Sequence, residues 1–271
     1  MCEVLGVSSS AYYEFQKKAF TKREHNNQLL DKAIMEIYVQ HRGRYGVPRI
    51  HRELKAFGNS AGKNRVARRM RQLGLRALAK RKYKATTDSQ HALPVAANLL
   101  NRDFSANAPN QKWGTDITYV STQEGWLYLA TVMDLYSRAI IGWSLQDNLE
   151  SDLIIEALQM ALWRRKFPIG VLVHSDRGSQ YCSDVYQDLL KKHGLICSMS
   201  RAGECWDNAP MESFYHSLKT ELVQFSKGFK NKLEAKTLIA EYIEEYYNLV
   251  RRHSAIAYQA PIVFELATSR S

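Results

Sequence analysis

The chain has 271 residues, of which 45% are hydrophobic and 24% are charged, and its formal net charge is +11. This length and apolar fraction suit one large domain, or a medium domain joined to a small one, and exclude a disordered chain. No stretch approaches the roughly 18 uninterrupted apolar residues of a membrane helix, and the first residues lack the pattern of a secretory signal, so we expect an intracellular protein with no membrane partner.

Almost all of the excess positive charge lies in the first part of the chain. Residues 1–110 contain 21 Lys and Arg against 8 Asp and Glu, whereas residues 111–271 contain 17 against 19. Between Arg42 and Lys84 there are 15 basic residues and a single acidic one, Glu53. Such a density repels itself unless an anionic polymer lies against it, which predicts double-stranded DNA as a partner.

The basic region is predicted to be a small helical DNA-binding domain over residues 1–85. Apolar residues recur at helical spacing on both sides of the break GNSAG, which predicts a helix-turn-helix. A solvated basic face is the alternative interpretation. We expect five arginines to contact DNA as residues of such helices do, namely Arg49 in the first helix and Arg65, Arg68, Arg69 and Arg71 in the second.

Residues 86–107 lack periodicity and are predicted to be a linker, followed by a second domain over residues 108–271. That domain begins with three predicted strands, KWGTDITYV, WLYLATVMD and AIIGWSL. Helix and strand patterns then alternate through SDLIIEALQMALWRR, GVLVHSD, SDVYQDLLKKHG and ICSMS. This order predicts an α/β fold with a mixed sheet flanked by helices. Two long helices are predicted to follow, APMESFYHSLKTELV, with Asn208 available as its cap, and LEAKTLIAEYIEEYYNLV.

Three carboxylates stand on separate elements that a sheet can bring together. Asp116 lies within a predicted strand, Asp176 at the end of another, and Glu212 in the first turn of a helix. Each one alone has an ordinary structural explanation, as a strand end, a turn cap or a favourable charge at a helix N-terminus. An acidic cluster binds a cation or stays protonated, and a set of oxygen ligands selects Mg²⁺ or Mn²⁺, the ions of phosphodiester chemistry.

Fifty-nine residues separate Asp116 from Asp176, and 35 separate Asp176 from Glu212. With the surrounding text WGTDITY, VHSDRGSQYCS and GECWDNAPMESFYHSLKTEL, the chain resembles the DDE transposases of the retroviral-integrase superfamily, and specifically the OrfB-type transposases of the IS-three family. YGVPRIHREL and NRVARRMRQLGL resemble the helix-turn-helix of that family, and YNLVRRHSAIAYQAP resembles its C-terminal signature. The resemblance covers nearly the whole chain.

The resemblance implies a ribonuclease-H-like core with two Mg²⁺ or Mn²⁺ ions per active site. Asp116 would bridge both ions, Asp176 would bind one and Glu212 the other. Lys219, two helical turns after Glu212, would contact DNA near the cleavage point. The implied activity is metal-dependent cleavage at the ends of an insertion sequence, followed by attack of the freed 3′-hydroxyl on another phosphodiester.

The family also implies partners. These are an upstream protein joined to the chain as a ribosomal-frameshift fusion, and further copies of the chain in a homo-oligomer on DNA. The implied location is the bacterial cytoplasm, in association with the nucleoid. Two other functions are weighed against this one. A catalytically silent DNA-binding regulator would be expected to lack a carboxylate, and a host nuclease of ribonuclease-H type would lack the basic helix-turn-helix.

Other residues near the carboxylates are less strongly indicated as metal ligands or catalytic residues. His174 is not assigned as a ligand, because a neutral imidazole suits Mg²⁺ poorly. For Asp134, a role in a turn is favoured over a further metal role. Trp206, Asp207 and Asn208, in the loop that leads to Glu212, are expected to shape or cap the catalytic helix and to take no part in the chemistry.

Overall fold

The computed structural model describes residues 2–4, 6–17, 21–78, 93–223 and 228–268. The chain divides into two compact units, residues 1–79 and 80–271. The first part of the predicted linker, residues 86–92, lies outside the described residues. Within the part of the chain that the structure describes, no helix is both long and apolar enough to cross a membrane.

The N-terminal unit contains the predicted helix-turn-helix. Its helices are α1 (Ser9–Lys17), α2 (Lys22–Gln40), α3 (Val47–Ala56) and α4 (Lys63–Gln72). Helices α3 and α4 lie on either side of the predicted break, and α2 packs against both. The buried residues of these three helices are Leu30, Ile34, Ile37, Ile50, Leu54, Val66 and Met70.

Helix α2 has no counterpart among the predicted elements. It begins at a capping box, in which the Thr21 hydroxyl accepts a hydrogen bond from the Glu24 amide at 3.2 Å and the Glu24 carboxylate accepts one from the Thr21 amide at 2.7 Å. Such reciprocal bonds satisfy amides that the first helical turn would otherwise leave unpaired. Only three of its 19 residues are buried, so its apolar pattern is too sparse to stand out in the sequence.

The second unit is built on the predicted mixed sheet. Its strands are β1 (Lys112–Thr122), β2 (Gly125–Asp134), β3 (Ile140–Gln146), β4 (Leu172–Ser175) and β5 (Ile196–Met199). They lie in the order β3-β2-β1-β4-β5, with β1, β2 and β3 antiparallel and with β4 and β5 parallel to β1. The central strand β1 therefore joins the antiparallel and parallel halves of the sheet.

Helices cover both faces of this sheet. On one face, α5 (Ser151–Arg164) and α6 (Asp184–Lys192) close a core around Trp113. On the other, α7 (Ala209–Leu218) and α8 (Lys232–Glu241) close a second core around Leu129. The short helix α9 (Pro261–Thr268) follows.

Gly142 allows α5 to lie directly on β3. A β-carbon at this position would stand 2.1 Å from the backbone carbonyl oxygen of Ala157. No side chain can be accommodated at that distance without moving the helix, so the absence of a side chain sets the separation of the two elements.

The two long helices predicted near the C-terminus are both present, and each changes from α-helical to π-helical geometry along its length. Helix α7 gives way to a π-helical turn at Lys219–Val223, and α8 to another at Tyr242–Tyr247. The π-helical turn Lys219–Val223 contains Glu221, which is buried and accepts hydrogen bonds from the Arg251 guanidinium at 2.6 and 2.8 Å. Arg251 lies in the segment YNLVRRHSAIAYQAP, which thus holds the turn after α7 through a buried ion pair.

Candidate active site

Strand pairing brings Asp116 and Asp176 together. In the parallel pairing of β1 with β4, Lys112, Trp113 and Gly114 each face the residue 60 positions later in the chain. Asp116 and Asp176 stand at the same offset, two residues beyond the last of these pairs, where β4 has just ended. The two carboxylates therefore lie side by side at the carboxyl end of β4, the edge at which open α/β sheets bind ligands.

Asp116 stands in a strongly charged and poorly solvated environment. Burial raises its pKa well above the usual range for aspartate, and the negative charges of Asp176 and then Glu212 raise it further. The Ile117 amide donates to the Asp116 carboxylate at 2.8 Å and opposes this shift. Just after β4, the Gly178 amide donates to the Asp176 carboxylate at 2.9 Å, and this hydrogen bond fixes the turn that follows the strand. The two carboxylates are thus close enough for each negative charge to disfavour ionisation of the other.

Glu212 reaches the pair from a helix that is tied to β1 on both sides of Asp116. The Asn208 amide donates to the Thr115 carbonyl at 3.1 Å, and the Tyr215 hydroxyl donates to the Asp116 carbonyl. Tyr215 also shares a hydrogen bond of 2.8 Å with the hydroxyl of Thr131 on β2. Glu212 itself lies in the first turn of α7, as predicted, and its side chain is exposed.

The expectation for Asn208 is wrong in its detail. Asn208 does occupy the residue before α7, but its side chain makes no capping hydrogen bond. The amide instead points to β1 and contacts the Thr115 carbonyl. The side chain therefore positions the helix against the sheet and does not cap it.

Lys219 lies directly after α7, within electrostatic reach of Asp116. Burial lowers the pKa of its ammonium group, and the negative charge of Asp116 opposes this effect. Among the described residues, no three His, Cys, Asp or Glu side chains are arranged closely enough to hold a metal ion as they stand. The sheet thus pairs two carboxylates, and Glu212, exposed in the first turn of α7, lies close enough for its charge to act on Asp116.

Two neighbouring residues have structural roles. His174 is buried between β4 and β5, its ring nitrogens 2.9 and 3.1 Å from the hydroxyls of Ser198 and Ser200, and burial lowers its pKa to about 4. Asp134 accepts hydrogen bonds from the amides of Asn110 at 2.9 Å and Tyr136 at 3.0 Å. Asp134 therefore holds the turn after β2, as favoured from the sequence.

In the N-terminal unit, the arginines of α4 divide between two faces. The Arg65 guanidinium donates to the side-chain oxygen of Asn27 at 2.9 Å, and that of Arg69 makes a two-point ion pair with Asp31. Arg68 and Arg71 are exposed. Of the helix-turn-helix arginines, Arg49 on α3 is half-buried, its guanidinium 5.6 Å from the centre of the Tyr45 ring.

Tyr215 is the residue near the carboxylates that the sequence analysis missed. Its signal was its spacing, since it lies three residues after Glu212 and therefore on the same side of α7. A tyrosine at that position is ordinarily assigned to the core, and only the position of β1 shows that its hydroxyl contacts the backbone of Asp116.

Family models cover most of the chain. An integrase core domain matches residues 106–205, a second integrase core domain model matches residues 193–261, and an HTH-like domain matches residues 24–83. Among curated relatives, transposase InsF of insertion sequence IS3A from Escherichia coli strain K12 is 46% identical over 267 residues, which cover 98% of this chain and 92% of the relative. A 31 kDa protein of insertion element IS600 from Shigella sonnei is 45% identical over 264 residues, 97% of each chain.

Solved structures also resemble the chain. The intasome of simian T-cell lymphotropic virus, in complex with the PP2A regulatory subunit B56 gamma, matches with a TM-score of 0.49 and 13% identity over 86% of this chain and 74% of that one. The HTLV-2 integrase catalytic core in complex with magnesium matches with a TM-score of 0.45 and 14% identity over 59% of this chain and 99% of that one.

The chain is 46% identical to InsF over almost its whole length, and it matches integrase-core and HTH-like domain models. These matches agree with the mixed sheet and its paired carboxylates. The chain belongs to the IS3 family of insertion-sequence transposases and is a DNA-binding enzyme that cleaves and integrates DNA.

Proposed function

We propose that Asp116, Asp176 and Glu212 are the catalytic carboxylates of this transposase and hold two Mg²⁺ or Mn²⁺ ions. The observation that carries the proposal is the strand register, which sets Asp116 beside Asp176 at the carboxyl end of β4. Glu212 lies on helix α7. Two residues beside it, Asn208 and Tyr215, both form hydrogen bonds to the backbone of β1 next to Asp116.

The chemistry of these side chains fits a hard divalent cation. The donors are carboxylate oxygens. Burial and then the negative charges of Asp176 and Glu212 raise the pKa of Asp116, and a bound cation would neutralise those charges. Mg²⁺ commonly takes one or two carboxylates together with water and substrate phosphate, so the Asp116–Asp176 pair suffices for initial binding and Glu212 completes the site. Asp116, Asp176 and Glu212 would together hold the ions.

Bound in this way, the ions would activate the attacking oxygen and stabilise the leaving oxygen of an in-line displacement. The residues of the chain supply position and charge. Lys219, beside Asp116, contacts a phosphate of the strand being cut. The same site serves first for hydrolysis at the end of the element and then for attack by the freed 3′-hydroxyl.

The helix-turn-helix holds the DNA through exposed residues of α4. Arg68 and Arg71 stand on the exposed face, with Asn64 one turn before them. Phosphate contacts from arginines orient a protein on DNA and make its affinity dependent on salt. Arg65 and Arg69 lie on the flank that faces α2, where they support the helix. Arg49, stacked near Tyr45, reaches a phosphate from α3.

We assign two partners from the family. The active form is a fusion with the upstream protein produced by ribosomal frameshifting, and copies of that fusion assemble on the element ends. The upstream part supplies further recognition of the end sequence, and the present chain supplies the cleavage site.

The test is cleavage and strand transfer on labelled DNA that carries the end of the element, with the chain alone and fused to its upstream partner. We expect products that need Mg²⁺ or Mn²⁺ and disappear in Asp116→Asn, Asp176→Asn and Glu212→Gln. A fusion that binds this DNA and makes no product, or a triad variant that retains activity, would contradict the assignment.

A further inference from the structure

The second part of the predicted linker is built into the catalytic unit. Residues 97–102 run alongside β5, where the Ser198 hydroxyl accepts hydrogen bonds from the amides of Leu99 and Leu100 at 2.9 and 3.2 Å. Leu100 is 2% exposed and belongs to the same core cluster as Met211 and Phe214 of α7. We call residues 97–102 the strap.

The strap ends at a buried carboxylate in the loop that leads to the catalytic helix. Asp207 is fully buried and accepts hydrogen bonds from Asn98 at 2.9 Å and from the Arg102 guanidinium at 2.6 Å, both in the strap. From its own loop, the backbone amide and guanidinium of Arg201 donate to the same carboxylate at 2.9 to 3.0 Å. These contacts hold the pKa of Asp207 well below its usual range, so it is a charged group satisfied on both oxygens.

Asp207 stands immediately before Asn208, whose amide contacts the backbone of β1 beside Asp116. Glu212 follows within the first turn of α7. Hydrogen bonds therefore connect Arg102 to Asp207, and the chain itself connects Asp207 to Asn208 and to the helix that carries Glu212.

The backbone at Arg102 supports a specific role. Asn101 and Arg102 have φ values of +44° and +62°, a left-handed conformation that non-glycine residues adopt at a cost in energy. The surrounding contacts hold two successive residues in this conformation, and the result is that the Arg102 guanidinium reaches the buried Asp207 carboxylate. Its other hydrogen bond, to Glu204, lies at the exposed surface.

We infer that Arg102 and Asp207 are positioning residues of the transposase, which fix the loop 201–208 and through it the position of Glu212 before metal and DNA bind. The strap thereby contributes to the geometry of the active site. This inference rests on the proposed role of Glu212.

The test uses the full chain with Arg102→Ala and Asp207→Asn, and with Glu204→Gln as a matched control that removes only the exposed partner of Arg102. Hydrogen exchange of the metal-free protein is measured by mass spectrometry, together with DNA affinity and cleavage of the element end in the fused form. The metal-free measurement reports the loop independently of catalysis.

We expect Arg102→Ala to accelerate amide exchange in residues 201–213 with little change elsewhere. Cleavage should fall about 10- to 100-fold, the usual effect of losing a residue that orients metal ligands. DNA affinity should stay within about twofold, since no direct DNA contact of the strap is involved. Arg102→Lys should recover part of the cleavage, and Glu204→Gln should leave exchange and cleavage unchanged.

Unchanged exchange in residues 201–213, or wild-type cleavage by Arg102→Ala and Asp207→Asn, would overturn the inference. So would faster exchange across the whole catalytic unit in both variants, because that would show a general structural role. Cleavage that survives Glu212→Gln would instead refute the proposed function and leave the exchange result standing.

Discussion

The two units of this transposase place their functional charges in different ways. In the catalytic unit, Asp116 and Asp176 are set by strand register, and Glu212 by a helix with defined contacts to the sheet. In the helical unit, Arg68 and Arg71 project from a helix surface, while Arg65 and Arg69 are bound to side chains of α2. Geometry therefore constrains the carboxylates closely, whereas the arginines of one helix differ in whether a side chain of α2 binds them.

The strongest test of this contrast is Asp176→Asn in the fused protein. The change removes one carboxylate charge from a site whose position the backbone fixes, so cleavage should fall by at least about 10³-fold while DNA binding is retained. Cleavage of end-labelled DNA and fluorescence anisotropy measure the two quantities. Asp188→Asn, at an exposed position on α6, is the control and should leave both unchanged. Cleavage by Asp176→Asn within about tenfold of wild type would contradict the metal-ligand assignment.

A smaller effect is expected from Tyr215→Phe, which removes the hydroxyl that joins α7 to β1. The free energy of unfolding should fall by about 1 to 2 kcal/mol, because the Asp116 carbonyl and the Thr131 hydroxyl lose a buried partner. Cleavage should fall about tenfold, as for other residues that orient metal ligands. All five tryptophans lie in the second unit, so their fluorescence during urea unfolding reports that unit alone.

Tyr186→Phe is the matched control for this prediction. The Tyr186 hydroxyl is buried, and no group among the described residues is its hydrogen-bond partner. Its removal should therefore leave stability unchanged or slightly increased. Equal losses in the two variants would show that Tyr215 contributes only packing.

In the helical unit, Arg68→Ala should weaken DNA binding without loss of stability. Removal of one phosphate contact should lower the slope of log affinity against log salt by about 0.9, and Arg71→Ala should act similarly. Affinity measured between about 50 and 200 mM salt gives this slope. Arg68→Lys should keep the slope, because the charge is retained. An unchanged slope in Arg68→Ala would place this face of α4 away from DNA.

The smallest effect is expected from Arg69→Ala, one residue along the same helix. Loss of its ion pair with Asp31 should destabilise the helical unit by about 1 kcal/mol, the size typical of a partly exposed pair. Circular dichroism during thermal unfolding measures this loss. The salt slope should not change, and a decrease as large as that of Arg68→Ala would remove the distinction between the two faces.

The sequence could predict the mixed sheet and the element that carries each carboxylate, because the apolar patterns of the strands and of α7 identify a strand around Asp116, a strand that ends just before Asp176 and a helix that begins just before Glu212. It could not predict which arginines of α4 are bound internally, since Asn27 and Asp31 lie on a helix with too few apolar residues to be recognised. A role for Asp207 at the start of the catalytic helix was expected, but its partners Asn98 and Arg102 could not be predicted, because they lie about 100 residues earlier in a segment without periodicity.

The strand register also bears on how distant relatives of this chain should be sought. Asp116 faces Asp176 because β1 pairs with β4, and the 59 residues between them make a hairpin, a third strand and a helix that can gain or lose residues in their turns. One residue inserted between Gly114 and Asp116 would instead turn the carboxylate to the opposite side of the sheet. A search for remote homologues should therefore keep the sequence pattern of each strand fixed and allow the number of residues between the two aspartates to vary.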